Sequence, residues 1–338
     1  MIAAKTKLKN AEKVKRFLIE KEALNYNFNP LKEKEFIYFP LNKEIKHKNI
    51  EIADKKLNES LKTSRNLKTS LKGKLTEKEI EFLKTSFDSV GDIAILEIPK
   101  ELEPREKIIA EELLKINKNV KTVLKKSGVH EGEFRTQKMQ YLAGINTKET
   151  VYKENNVQLK LNVEEVYFSP RLSSERKRIA EQVKKNEEIL VMFSGCAPYP
   201  CVLAKNTDAK SIIGIEINPV GHKYGLENIK LNKIKNTELI CGDVKKVVPK
   251  LNKKFDRILM PLPKSAEDFL DEALTAAKKR TIIHFYDFLH ENDIPKKAIE
   301  KIDKACKKRK IKYEVLQTVK CGQHAPRTYR ICVDFRII

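Results

Sequence analysis

From Tyr167 onward the chain alternates strand-like runs with helical ones, and this alternation constrains the fold more than any other feature. The runs "EEILVMF", "SIIGIEI", "ELICGD", "FDRILMPLP" and "TIIHFYDF" are apolar, rich in β-branched and aromatic residues, and bounded by turn residues. Helical patterns such as "EDFLDEALTAAKK" and "PKKAIEKIDKACKKRK" lie between or after them. Strands separated by helices pair in parallel, because a crossover must return the chain to the same end of the sheet. The expected fold class is therefore α/β, with a doubly wound, Rossmann-like seven-stranded sheet over residues 167–338. Two further runs, "YEVLQTVKC" and "RICVDFRII", follow each other without a helix and predict an antiparallel hairpin at the sheet edge.

Upstream the texture differs. Residues 1–62 form a small N-terminal domain with a helix-like "AEKVKRFLIEKEAL" and a strand-like "EFIYFPL". The polar, basic stretch 53–75 reads as a linker. Residues 63–166 make an α+β middle domain. In it "REKIIAEELLKIN" places Ile108, Ile109, Leu113 and Ile116 on one helical face. "ETVYKE" and "VQLKLNV" alternate with period two and are joined across Asn155 and Asn156, the signature of a hairpin.

The 338 residues carry 69 Lys and Arg against 47 Asp and Glu, a formal net charge of +22. Such an excess repels itself unless a polyanion neutralises it. It fits either a lysine-rich solvated surface or a nucleic-acid partner whose phosphates shed counterions to Lys and Arg. No apolar run approaches the length of a membrane span, and "MIAAKTKLKNAEKVKRF" lacks the apolar core of a signal peptide. The six cysteines are scattered without C-x-x-C spacing, so reduced thiols in a cytoplasm, and no metal site, are expected. Nothing requires a dimer, and a monomer is expected.

Ligands of open α/β sheets bind beyond the carboxyl ends of the strands, at the point where strand order reverses. In "ILVMFSGCAPYP" Gly195 follows the first strand, and Pro198 and Pro200 suit the opening turn of a helix. Glu216 ends the second strand about 20 residues on, the place of an acid that takes ribose hydroxyls. Asp243 ends the third strand, in reach of an adenine amino group. Neither G-x-G-x-x-G nor a P-loop is present. S-adenosylmethionine, which has no phosphates to cradle, fits this set better than a nucleotide.

The stretch "VYFSPRLSSERKRI" joins the middle domain to the sheet domain, with a helix starting near Ser173 or Ser174. Here the sequence resembles the archaeal-type tRNA (guanine-N1)-methyltransferases, whose target is guanosine 37 beside the anticodon. "EGEFRTQKMQYLAG", "VYFSPRLSSER", "GIEINP", "MPLPKSAEDFLDEAL" and "HAPRTYRICVDFRI" fall in that family's order. The resemblance implies a class I methyltransferase domain, S-adenosylmethionine as cofactor, and a tRNA partner held at its anticodon arm and outer corner. It implies that Glu175 is the general base for guanine N1 and that Arg135 stabilises charge developing on O6. Arg171 and Arg176 would hold the loop and the RNA backbone, and Tyr167 would line the site. Phe193, Pro261 and Pro263 would join Gly195, Glu216 and Asp243 around the cofactor, and Arg327 would contact RNA.

The sequence departs from the family pattern in two places. The first motif usually runs D-x-F-x-G-x-G-P, whereas here Val191 and Ala197 replace the aspartate and second glycine. The fourth often reads N-L-P, and Pro261 stands at the asparagine. An aminocarboxypropyl transferase using the same cofactor, or a tRNA-binding protein without catalysis, are the alternative readings. Arg171 favours methylation over the former.

Overall fold

The computed structural model of the protein describes residues 1–58, 67–132, 134–262 and 264–338. It divides into two compact units, Met1–Thr85 and Ser86–Ile338. The boundary expected near residue 62 lies outside the described residues.

The first unit holds an antiparallel sheet of β1 (Ile2–Lys7), β2 (Leu31–Glu33), β3 (Phe36–Pro40) and β4 (Glu51–Asp54), ordered β2-β3-β1-β4. Helix α1 (Ala11–Glu20) closes one face. Its Val14 and Leu18, four residues apart and hence one above the other, pack with Ala4, Ile37, Phe39 and Leu41. Two short helices follow, α2 (Leu67–Ser70) and α3 (Glu77–Phe82). The latter begins on a capping box in which the Thr76 hydroxyl accepts the Glu79 N–H and the Glu79 carboxylate accepts the Thr76 N–H.

The second unit begins with a mixed sheet of β5 (Asp88–Val90), β6 (Ile93–Leu96), β7 (Thr122–Glu131) and β8 (Thr136–Gly144). Helix α4 (Glu106–Ile116) is the crossover between parallel β6 and β7. It buries Ile109 and Leu113 as expected, together with Ala110 and Glu112, while Ile108 and Ile116 are half-buried. The expected hairpin is β9 (Glu149–Glu154) and β10 (Val157–Asn162). Asn155 and Asn156 turn it with φ of 39° and 62°, the left-handed pair a two-residue turn requires.

The free edge of this two-stranded ribbon is satisfied by a helix. Asn228 and Asn232, on α7 (Pro219–Leu231) and its C-cap, accept the N–H groups of Lys160 and Gln158 at 2.7 and 2.8 Å. Their amides return hydrogen bonds to the same residues' carbonyls at 2.9 and 2.7 Å. Two asparagines four residues apart thus imitate a neighbouring strand, meeting the demand of the buried backbone for partners.

After α5 (Ser173–Ala180) comes the seven-stranded sheet. It comprises β11 (Glu188–Met192), β12 (Ser211–Glu216), β13 (Thr237–Cys241), β14 (Phe255–Met260), β15 (Ala277–His290), β16 (Tyr313–Ala325) and β17 (Thr328–Ile337). The order is β13-β12-β11-β14-β15-β17-β16, with β11 to β15 parallel and β17 antiparallel to both neighbours. Helix α6 (Pro198–Asn206), α7, α8 (Val244–Val247), α9 (Leu270–Ala276) and α10 (Lys296–Lys308) connect the strands. Every strand read from the alternation is present, including the antiparallel hairpin at the edge.

The core of this sheet contains ionic groups. Arg257 on β14 is fully buried, with its guanidinium on Glu187 at 2.7 Å and on His284 Nε2 at 2.7 Å. An arginine only donates, so Nε2 is the acceptor and Nδ1 carries the ring proton. That N–H donates to Asp334 on β17 at 2.6 Å. His284 is therefore a neutral imidazole. Burial holds its pKa below the ordinary 6.5, against the raising effect of Asp334. A depressed imidazole pKa gives stability that is complete above the unfolded value and is lost as pH falls through it. Urea denaturation is expected to show stability falling on acidification below neutral pH, as imidazole in the unfolded chain takes up a proton that buried His284 resists.

Candidate active site

The strand order reverses between β12 and β14, on either side of β11, and the loops leaving β11, β12, β13 and β14 meet there around one cavity. Tyr167, Phe193, Gly195, Glu216, Asp243 and Pro261 all line it, together with Arg135. Pro263 lies outside the described residues.

The turn after β11 has left-handed backbone at Phe193 (φ 60°), Gly195 (57°) and Ala197 (63°). Only one of these three is glycine, so local steric strain is accepted at the other two. Helix α7 packs against this turn through two glycines of its own, Gly221 and Gly225. A Cβ added at Gly225 would stand 3.4 Å from the Ala197 Cβ and 3.6 Å from the Gly195 carbonyl oxygen. Gly221 sits equally close to the Gly195 backbone. Val191 is fully buried within β11, where an aspartate would need a partner for its charge.

Glu216 locks the turn to the second strand. Its Oε2 accepts the Gly195 N–H at 2.5 Å, and its Oε1 accepts the Asn218 N–H at 2.8 Å. Burial nonetheless raises its pKa, the backbone donors opposing that shift. Asn218 caps α7 through the Val220 N–H at 3.0 Å, and Asp243 caps α8 through the Lys245 N–H at 2.9 Å. The apolar wall is Ile217, Val244, Leu262 and Phe269. Phe269 stands edge-on to Phe193 with centroids 4.8 Å apart. The sequence reading missed Phe269 and Ile217, although they lie within the quoted "MPLPKSAEDFLDEAL" and "GIEINP".

A second cavity adjoins the first across a shared wall of Arg135, Val166, Tyr167, Phe168 and Ser169. Arg135 itself has φ 53°, and its guanidinium donates to the Lys264 carbonyl. Arg171 lies on this second cavity, in an ion pair with Asp88 that Lys126 also joins at 3.2 Å. Its far wall comes from β15 and the β16–β17 hairpin, through Phe288, Cys321, His324 and Arg330.

Three expected residues do not line the second cavity. Glu175, in the first turn of α5, lines neither cavity and is 4% exposed. Its Oε2 accepts Arg178 Nε at 2.7 Å, and its Oε1 accepts both Arg178 and the Tyr286 hydroxyl at 2.7 Å. Tyr286 has one proton and spends it on Glu175, so Tyr199, 2.9 Å away, donates to Tyr286. Arg178 also grips Asp334 at 2.6 Å. Arg176, expected on the RNA backbone, is 1% exposed. It forms a two-pronged pair with Glu154 on β9, donates to the Ser169 carbonyl at 3.1 Å and stacks over Phe168. It is tied to the loop at Ser169 and borders the first cavity while almost fully buried. Arg327 lines neither cavity. It sits at the β16–β17 turn, 63% exposed, and pairs with Glu291 at 2.7 Å.

His284, Cys332 and Asp334 approach one another closely enough to ligate a metal. Their atoms are already committed to each other, and the Arg178 and Arg257 guanidiniums beside them repel a second cation. Among the described residues no helix is long and apolar enough to cross a membrane.

The sheet order and the cavity at its switch point define a class I, Rossmann-like methyltransferase fold. Residues 150–316 match the TRM5/TYW2 methyltransferase domain, residues 67–147 the TYW2 N-terminal domain and residues 3–49 the tRNA methyltransferase 5 N-terminal domain. The chain is 37% identical over 99% of both chains to the tRNA (guanine(37)-N(1))-methyltransferase Trm5b of Pyrococcus abyssi. The crystal structure of that Trm5b superposes with a TM-score of 0.76 over 100% of this chain and 99% of that one. The complex of aTrm5 with tRNALeu superposes at 0.72 over the whole of both chains with 32% identity. A tRNA(Phe) (4-demethylwyosine(37)-C(7)) aminocarboxypropyltransferase of Pyrococcus horikoshii is 32% identical over 79% of this chain and 94% of its own. The chain belongs to the TRM5/TYW2 methyltransferase family.

The strained turn gives a direct test. Ala197→Gly relieves about 1 kcal/mol of left-handed strain but forfeits a buried methyl worth about 0.8 kcal/mol. Its unfolding free energy is expected to stay within about 1 kcal/mol of wild type. Ala197→Val, branched at a left-handed and fully buried position, is expected to lose about 2 kcal/mol or more in the same denaturation experiment.

Proposed function

We propose that this protein transfers the methyl group of S-adenosylmethionine to N1 of guanosine 37 in tRNA. The observation that carries the reading is the shared wall: a cavity at the switch point opens beside a second, cation-lined cavity, with Arg135 and Tyr167 belonging to both. Full-length likeness to Trm5b supports the same reaction.

The first cavity suits the cofactor by its donor set. Glu216 offers carboxylate oxygens for a ribose diol, and Phe193, Ile217 and Phe269 offer an apolar slot for adenine. Bound S-adenosylmethionine supplies an electrophilic methyl on a sulfonium. Asp243 accepts from the adenine amino group, and Pro261 borders the cofactor without a side-chain hydrogen bond. This protein's residues do the rest. Guanine N1 is a poor nucleophile while it carries its proton, so a carboxylate must accept that proton and a cation must stabilise the charge gathering on O6. Glu175 is the acceptor and Arg135 the cation. For Glu175 to reach the base it must release Tyr286 and Arg178, and Arg178 keeps Asp334 as a partner when it does. Arg171 meets a backbone phosphate by exchanging Asp88 for it. Arg327 adds a contact at the rim, and the N-terminal domain reads the tRNA outer corner while the second unit grips the anticodon arm.

Unmodified tRNA transcripts with guanosine or adenosine at position 37 test the target: label from methyl-tritiated cofactor should appear only with guanosine. Equal labelling of both would overturn the assignment. Label from a carboxypropyl-tagged cofactor would indicate the aminocarboxypropyl reaction instead. Glu175→Gln should lower kcat by about 100-fold or more, while cofactor affinity measured by calorimetry stays unchanged, because Glu175 lies off the cofactor cavity. An unimpaired variant rejects the base.

Glu216→Gln should show the opposite split, raising the cofactor Kd by about tenfold or more. A ribose diol donates best to the ionised carboxylate, and burial raises this carboxyl's pKa. Cofactor binding should therefore release protons at mildly acid pH and weaken as pH falls, a trend absent in Glu216→Gln.

A further inference from the structure

The far wall of the second cavity carries a column of flat groups that the reaction leaves unused. Phe288, near the end of β15, stacks on His324 of β16 with ring centroids 4.0 Å apart and planes 23° apart. The Arg330 guanidinium lies over Phe288 at 5.1 Å. It also donates to the Tyr167 hydroxyl at 2.8 Å, tying the column to the wall the two cavities share. His324 is exposed and Phe288 half-buried, and both face the second cavity but not the cofactor cavity.

The geometry points to this column as the seat of the nucleobase beside the target, an inference that rests on the methyl-transfer reading above. The target base must reach the cofactor, so its place is at the shared wall by Arg135 and Tyr167. Extracting it from the anticodon loop strips its neighbour of a stacking partner, an unstacking cost that every base-flipping enzyme must offset. The exposed imidazole, backed by Phe288 and Arg330, replaces the lost face. Stacking accepts any base, because every base has a π face, and it needs no hydrogen-bond code. The cavity has the cations that a strand passing from the shared wall to the column requires. Arg171 and Lys126 stand on the opposite wall and Arg330 on the column itself. The platform therefore lowers the cost of flipping by holding the neighbour while the target leaves.

The test is a cycle between protein and RNA. tRNA transcripts are made with an abasic nucleotide at position 36 or at position 38, and tRNA Kd and methylation are measured for wild type, His324→Ala and His324→Tyr. At one flank, removing the base should weaken wild-type binding by about tenfold, leave His324→Ala indifferent, and weaken His324→Tyr as it does wild type. His324→Ala on intact tRNA should lose the same factor. A 2-aminopurine at that flank should be quenched by wild type and not by His324→Ala. If both abasic transcripts weaken wild type and His324→Ala by equal factors, the platform is refuted. Methylation is mapped in the same samples. Label at a nucleotide other than 37 refutes the reaction assignment alone, and the abasic cycle is then run about the labelled nucleotide.

Discussion

A line of largely buried ionic and polar groups organises the second unit: Glu175, Arg178, Asp334, His284, Arg257 and Glu187, each within hydrogen-bond distance of the next. It crosses from α5 through β17, β15 and β14 to the residue before β11. Taking such groups from water costs several kcal/mol per ion unless each finds partners. Here each arginine joins two acceptors and each carboxylate at least one cation. The neutral histidine is the joint that lets Asp334 face one arginine while its own Nε2 faces the other. Asp334 is held far below the usual carboxylate range by His284 and Arg178, despite burial. Because Arg178 contacts both Glu175 and Asp334, the helix bearing the proposed base is fixed to the sheet even if Glu175 rotates away. The Arg178–Asp334 pair therefore ties α5 to β17 independently of the Glu175 contacts.

The same frame explains why the two cavities can share a wall. Val90, Ile93, Ile95, Leu124 and Met139 of the middle sheet pack into one cluster with Cys196 of the cofactor turn and Tyr224 of α7. The middle sheet and the methyltransferase sheet are thus halves of one body with a common core. Arg135, which precedes β8, borders the first cavity and donates to the Lys264 carbonyl in the loop after β14. Catalytic groups need placement to a fraction of an ångström, and a close-packed core is what provides it.

The parallel sheet was legible because buried strands and amphipathic helices differ in period and in residue type, and seven such segments leave little choice of order. The residues that line the first cavity were legible for a related reason. Glycine, glutamate and aspartate at the ends of successive parallel strands must converge, since the strands are neighbours. What escaped the sequence are pairings over long separations. Glu175 and Tyr286, Arg178 and Asp334, and Arg176 and Glu154 are each joined only by the fold. "SERKRI" reads as a basic, solvated helix face, and nothing local says that Arg176 turns inward to Glu154. Asn228 and Asn232 likewise look like ordinary helix-surface residues until a ribbon edge lies beside them. The apparent shortage of glycines after β11 was a reading of one segment. What the segment alone does not show is the helix packed on it: Gly221 and Gly225 of α7 lie in van der Waals range of the turn by fold.

The charge excess takes on meaning only at this scale. A net charge of +22 cannot distinguish a lysine-rich surface from a phosphate-binding one. At the second cavity the cations are not simply in surplus. Arg171 is held by Asp88, and Lys126 by Asp88 and Glu97. The Arg171 pair, whose guanidinium is mostly exposed, is individually weak, worth about 1 kcal/mol or less. A phosphate, which accepts from a guanidinium as well as a carboxylate does, can displace the acid at little cost. Asp88 and Glu97 offset the like charges of Arg171 and Lys126 on this cavity wall. The useful quantity is therefore the local arrangement of replaceable acids around fixed cations, to which the overall charge adds long-range attraction for a polyanion.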